Sequence, residues 1–190
     1  MKNKTGKKSS GFTVQELTTM ALLAALLCVS SYISIQLPIS AVPITAQTLI
    51  INLIALLLKP KKGGITVIVW ILLGVVGLPV FSGGKSGIGT ITGPTGGFII
   101  GYIAVAIIVA LVRGRKNKVW RNMVAVIAVG IPVLYAVGVP WYKVSMSLDW
   151  KTAFLTGMVP YLIGDVIKCV AAVYLAKPLY KVVNQDYNNG

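Results

Sequence analysis

Residues 82–97 read SGGKSGIGTITGPTGG. The stretch is rich in glycine, contains Gly84-Lys85-Ser86 and leads into an apolar run from Phe98, as a nucleotide phosphate loop would. Such a loop needs a glycine five positions ahead of its Gly-Lys pair, to open the turn whose N–H groups surround the phosphates. That position holds Pro79, which has no N–H to offer. The stretch has to be read from its surroundings.

Those surroundings are apolar. Of 190 residues, 56% are hydrophobic and 12% charged, and the mean hydropathy is +0.82, too apolar for a water-soluble fold. The chain reads as an integral membrane protein whose first partner is the lipid bilayer. Its formal net charge of +14 would suggest nucleic acid in a soluble protein, but in a membrane protein it marks cytoplasmic loops, and no nucleic-acid partner is expected. Cys28 and Cys169 sit inside apolar runs without metal or redox spacing, so they read as packing residues. No cofactor or metal is expected.

A bilayer-crossing helix needs about 20 apolar residues. Runs of that kind lie near 14–36, 44–59, 64–80, 94–112, 119–139 and 155–176, which predicts an all-α bundle of six transmembrane helices. The N-terminal tail, Lys59 to Lys62, Arg113 to Arg121, and Lys177 with Lys181 hold fourteen of the eighteen basic residues. These junctions alternate with weakly charged ones near 37–43, 81–93 and 140–151, so both termini are expected in the cytoplasm. The organisation expected is a basic cytoplasmic tail (1–12), the six-helix domain (13–182) and a C-terminal tail (183–190). The run after MKNKTGKKSS is too long for a signal-peptide core and reads as an uncleaved first span. QLPI, GLPV and GVPW are expected to finish spans one, three and five, and VPIT, GPTGG and VPYL to start spans two, four and six. Pro132, inside span five, is expected to kink it. VGLPVF (76–81) and VGVPWY (137–142) echo one another, which common helix-end chemistry explains without a duplication.

Ionisable groups at bilayer depth cost several kcal/mol, about 2.5–3.5 on the insertion scale, and so face a cavity or a partner. Here they form GDVIK (164–168), where Asp165 and Lys168 share a helix face. Two readings follow from the spacing: a self-neutralising pair that permits insertion, or a ligand site with one acceptor and one cation. Gln47, and after it Asn52, are the next polar groups able to point inward. Tyr161 and Tyr102 are either interfacial aromatics or pocket walls, and Trp141, Tyr142 and Trp150 read as interfacial. With glycine at 83, 84, 87, 89, 93, 96 and 97, backbone in the loop can approach a ligand closely. Pro94-Thr95-Gly96-Gly97 opens span four, where free N–H groups suit an anion or a carbonyl oxygen. Together these features point to a small-molecule site open to the outside.

The motifs PITAQTL (43–49), GLPVFSGG (77–84), TGPTGGF (92–98), GVPW (138–141) and GMVPYLIGDVIK (157–168) resemble those of the BioY family, the biotin-specific substrate-binding components of energy-coupling-factor transporters, over nearly the whole chain. The resemblance implies a six-helix protein of the bacterial cell membrane that binds biotin from outside. It implies as partners a transmembrane scaffold subunit and two ATP-hydrolysing subunits, which fits the lack of a Walker motif. Asp165 would accept a ureido N–H, and Lys168 would meet an anionic oxygen or orient Asp165. Gln47 and the backbone of Thr95, Gly96 and Gly97 would serve the carbonyl or carboxylate. Phe81, Phe98 and Tyr161 would wall the rings, and Gly84 and Pro94 would contact the ligand from the loop. Ala21 and Ala25, with Ala24 beside them, match the family's Ala-x-x-x-Ala docking motif on helix one; small residues at this spacing let helices approach closely in lipid.

Three other readings compete. Another vitamin could occupy the same fold. An intramembrane enzyme finds little support: the chain has no histidine, and its only carboxylates are Glu16, Asp149, Asp165 and Asp186, so no catalytic residue is expected. A pore needs polar lining throughout.

Overall fold

Helix α1 (Val14–Ser30) starts on a capping box. The Thr13 hydroxyl accepts the Glu16 N–H at 3.3 Å, and the Glu16 carboxylate accepts the Thr13 N–H at 3.1 Å. The chain then turns into a short hairpin, β1 (Ser34–Ile35) and β2 (Ile44–Thr45), with Ser34 opposite Thr45 and Ile35 opposite Ile44. Next come α2 (Gln47–Leu57), α3 (Pro60–Val75), a 3₁₀ turn at Ser82–Gly84, α4 (Ile88–Thr92) and α5 (Gly96–Arg113). Helix α6 (Val119–Val124), a π-helical segment at Ala125–Gly130 and α7 (Ile131–Ser145) run on as one helix, followed by α8 (Trp150–Gly157) and α9 (Val159–Val183). The computed structural model describes residues 12–114 and 118–183. The basic tail before Phe12, the charges Arg115 and Lys116, and Asp186 with the C-terminal tail lie outside the described residues.

Burial is inverted relative to a water-soluble protein. Val29, Leu72, Leu111, Ile163, Ile167 and Val182 are exposed, while Gln47, Asn52, Arg113 and Asp165 are buried. An apolar exterior around polar interior groups is what lipid as solvent demands. Gly96–Arg113, Val119–Ser145 and Trp150–Val183 are long and apolar enough to cross a membrane. Helix α5 sits at the centre, flanked by α2, α3 and α7. The core runs through Leu27, Ile54, Leu56, Val67, Val109, Val126 and Val173.

Several expected span ends shift. The first helix stops at Ser30, because 31–36 turn into the hairpin, and the second starts at Gln47, because Pro43 leads into β2. The third stops at Val75, ahead of Gly77 at φ +107°. The fifth does not finish at GVPW: Pro140 lies inside α7, which continues to Ser145. The π-helical segment directly precedes α7, where the Pro132 ring would crowd the carbonyl of Ala128 in an unbroken α-helical ladder. The two echoing hexapeptides take different structures, a helix end with a turn and an uninterrupted helix. Tyr142 is not interfacial: it is buried, and a Cβ on Gly157 would come within 2.8 Å of its ring.

Two phenylalanines set the spacing of the bundle near the loops. The Phe81 ring sits on Gly74 of α3 and the Phe98 ring on Gly138 of α7, so tightly that a Cβ at either glycine would lie within 2.4 Å of ring carbon. At the opposite, basic end, an arginine of α5 and one of α6 close helix ends. Arg113 donates to the carbonyls of Ala55 (2.9 Å) and Leu58 (3.0 Å) at the end of α2, and Arg121 donates to Val112 at the end of α5. Arginines near a helix C-terminus satisfy carbonyls that lack a partner within the helix.

Candidate functional site

The hairpin, the start of α2 and helices α5, α7 and α9 enclose a cavity at the loop end. It is partly open to the outside and lined by both polar and aromatic side chains, as small-molecule sites are. Its floor is built around Asp165. Asp165 Oδ2 accepts the Tyr135 hydroxyl at 2.6 Å, and Oδ1 accepts Lys168 Nζ at 3.1 Å and the Thr48 hydroxyl at 3.3 Å. A carboxylate offers about four acceptor positions, so three donors leave capacity for one more. Asp165 and Lys168 are one helical turn apart on α9, and both line the cavity.

The walls are aromatic. Phe98 and Tyr102 come from α5, Tyr135 from α7 and Tyr161 from α9, with Phe98 edge-on to Tyr135 at 6.1 Å between centroids. The Tyr161 hydroxyl donates to the carbonyl of Val42, fastening the hairpin over the cavity. Tyr102 and Tyr161 are therefore pocket walls, both buried. Gln47, at the head of α2, is fully buried. Its Nε2 donates to Val80 O at 3.4 Å and its Oε1 accepts the Ser82 hydroxyl at 2.9 Å, so it ties the loop to α2.

Of the residues singled out from sequence, Asp165, Lys168, Gln47, Thr95 and Tyr161 come together around this cavity. Phe81, Gly84, Pro94, Gly96 and Gly97 do not line it. Phe81 packs at 5.2 Å against Trp70 on the bundle side, and Gly84 faces the Tyr32 ring. Gly96 and Gly97 are contact points: a Cβ on Gly96 would overlap the Ile91 carbonyl, and one on Gly97 would come within 2.2 Å of Trp141. The loop is held rather than free, since Gly83 N–H donates to Ser31 O (2.9 Å) and Gly87 N–H to Gly74 O (2.7 Å). Positive φ at Gly83, Gly84 and Gly87 makes that path possible. Ala24 is buried against the bundle, while Ala21 and Ala25 are exposed on α1.

Thr48, Tyr135 and Ser82 were not foreseen. A tyrosine deep inside an apolar run, as Tyr135 is, was the available signal, because a phenol away from the interface needs a buried partner. The arrangement suits a small ligand with N–H groups for the carboxylate, an oxygen for the ammonium and an apolar ring between aromatic walls. Among the described residues, no three or more His, Cys, Asp or Glu side chains come together as a metal site.

A family model described as "BioY family" matches residues 1–185. The chain is 34% identical to a probable biotin transporter BioY of Pyrococcus horikoshii, over 87% of this chain and 96% of that protein. It is 34% identical to the biotin transporter BioY of Thermotoga maritima, over 89% and 98%. A crystal structure of the S-component for biotin from an ECF-type ABC transporter superposes with a TM-score of 0.82 at 25% identity, covering 90% of this chain and 95% of that one.

Proposed function

The chain belongs to the BioY family, and we propose that it is the biotin-binding S component of an energy-coupling-factor transporter, taking up biotin through the cavity floored by Asp165. It is a multi-pass protein of the cell membrane. The observation that carries the reading is the Asp165 carboxylate, held by Tyr135, Lys168 and Thr48 with acceptor capacity left at the cavity.

Biotin carries two ureido N–H donors, one ureido carbonyl, a thioether ring and a carboxylate on a flexible chain. Asp165 accepts a ureido N–H, and Lys168 both fixes Asp165 and offers its charge to a ligand oxygen. The bicyclic ring lies between Phe98, Tyr135 and Tyr161, with Gln47 and Thr95 at its polar edge. The chain carboxylate points to the mouth between the hairpin and residues 82–95. Phe81, Gly84, Pro94, Gly96 and Gly97 act by shaping this mouth.

The chain crosses the membrane six times, by α1, α2, α3, α5, the continuous helix Val119–Ser145 and α9, with both termini in the cytoplasm. Charge placement supports this, because Arg113 lies at the same end as Lys59–Lys62, donating to the carbonyl of Leu58. The exposed Ala21 and Ala25 receive a transmembrane scaffold, and two ATPase subunits drive the cycle. The chain's own role is binding, not catalysis. Replacing Ala21 and Ala25 with Trp is expected to abolish ATP-dependent biotin uptake with binding intact. Unchanged uptake at equal expression would sink the docking assignment.

Isothermal titration of detergent-purified protein with biotin, desthiobiotin, thiamine and riboflavin tests the ligand. Tight one-to-one binding of biotin, weakened by Lys168→Ala, is the expected result. Heat with another vitamin and none with biotin overturns the specificity.

A further inference from the structure

The cavity does not end at Asp165. One helical turn toward the basic end, a smaller chamber with room for about one water is lined by Thr48, Asn52, Gly130, Leu134, Asp165 and Cys169. Helices α2 and α9 run side by side here and form two rungs. Thr48 donates to Asp165, and four residues on along both helices Asn52 Nδ2 donates to Cys169 Sγ at 3.4 Å. The Cys169 thiol in turn points to the Val126 carbonyl, inside the π-helical segment.

The second rung leaves a polar atom over. Asn52 is 6% exposed, and its Oδ1 has no hydrogen-bond partner among the described residues. Whichever way the amide is turned, one of its polar atoms faces the chamber. A buried amide oxygen without a donor is costly and is normally satisfied. Across from it stands Gly130, where a Cβ would lie 3.6 Å from Asn52 Oδ1. The missing side chain at 130 is what keeps the space open.

We propose that this chamber binds an ordered water that donates to Asn52 Oδ1 and to the Thr48 hydroxyl oxygen, making Asn52 a positioning residue for the carboxylate through Thr48. A water is stable in a chamber offering two to four polar partners. A metal cation is not suited: one amide oxygen, one hydroxyl and a carboxylate already neutralised by Lys168 fall short of the six or more oxygens a hard cation takes. The water holds the Thr48 hydroxyl turned toward Asp165 and leaves the fourth acceptor position of the carboxylate to the ligand.

This inference rests on Asp165 as the ligand's acceptor, and two measurements separate it from that reading. The first is a diffraction map of wild type at a resolution that shows other internal waters. Density within hydrogen-bond distance of Asn52 Oδ1 is expected, and an empty chamber overturns the proposal whatever the protein binds. The second is biotin titration of Asn52→Leu, Gly130→Ala, the double variant and Asn52→Ser. Asn52→Leu removes the water's acceptor, and Gly130→Ala fills its space, with Val109 Cγ2 at 3.1 Å giving way slightly. Each single variant is expected to weaken binding about tenfold, as loss of a hydrogen bond to a charged group does. The double variant should lose no more than either, because both remove one water. Asn52→Ser, which keeps an oxygen, should stay within about threefold of wild type. Additive losses, or wild-type affinity in Asn52→Leu, overturn the role. Absence of biotin binding by wild type overturns the functional reading alone.

Discussion

Asp165 and Arg113 are buried almost equally, 6% and 5% exposed, yet they do opposite things. Arg113 directs donors to the carbonyls of Ala55, Leu58 and Gly114, and its guanidinium lies 5.6 Å from the Tyr180 ring centroid. It closes the basic end. Asp165 is held by side chains, Tyr135, Thr48 and Lys168, and keeps acceptor capacity facing a cavity. Burial of a charge therefore does not by itself mark a functional site. What separates the two is whether hydrogen-bonding capacity remains and opens onto space a ligand can enter.

The largest effect should come from Arg113→Met, which keeps the apolar stem and removes the donors at the end of α2. Buried carbonyls left without partners predict a loss of about 3 kcal/mol, read as a lower melting temperature in detergent, with the biotin affinity of the folded fraction unchanged. Asp165→Asn should invert that result. It retains the shape, loses the charge, and is expected to weaken biotin about 100-fold, or roughly 2.7 kcal/mol, with little change in melting. If Arg113→Met impaired affinity while Asp165→Asn impaired only folding, the contrast would be reversed and the site misplaced.

Tyr135→Phe sharpens the comparison. The ring stays against Phe98, but Asp165 Oδ2 loses its 2.6 Å donor, so affinity should fall about fivefold, near 1 kcal/mol, on titration. The smallest effect concerns an exposed carboxylate, Asp149, which caps α8. Hydrogen bonds from Thr152, from its side chain and then its N–H, hold the Asp149 carboxyl below the usual value. A depressed folded value means the cap contributes fully at neutral pH and is lost as pH falls through it. Melting followed against pH should thus show no Asp149 contribution to instability above about pH 4. Asp149→Asn, which also caps well, should flatten a small part of the fall below it.

Part of the candidate site was legible in the chain itself. The Asp165–Lys168 pair is a spacing of three on one helix, which the helical repeat places on one face without reference to anything else. Tyr135 and Thr48 were not legible as its partners, being 30 and 117 residues from Asp165. The glycines were legible as special but not as what they are. Gly83, Gly84 and Gly87 do take positive φ, whereas Gly96 and Gly97 exist to let α4 and α7 approach. Glycine signals both needs with the same letter.

By itself, then, the sequence determined the membrane class, the course of the apolar segments to within seven residues at each end, the alternation of charge at their ends and the family. All of these depend on composition or on neighbours along the chain. Only the tertiary structure decided that Pro43 precedes a strand, that Pro140 sits within a helix and that Tyr142 is buried. It alone set which polar groups open onto the cavity and which close the basic end. Those outcomes depend on how packed helices are rotated and set in register against each other, and that is fixed by contacts between residues far apart in the chain.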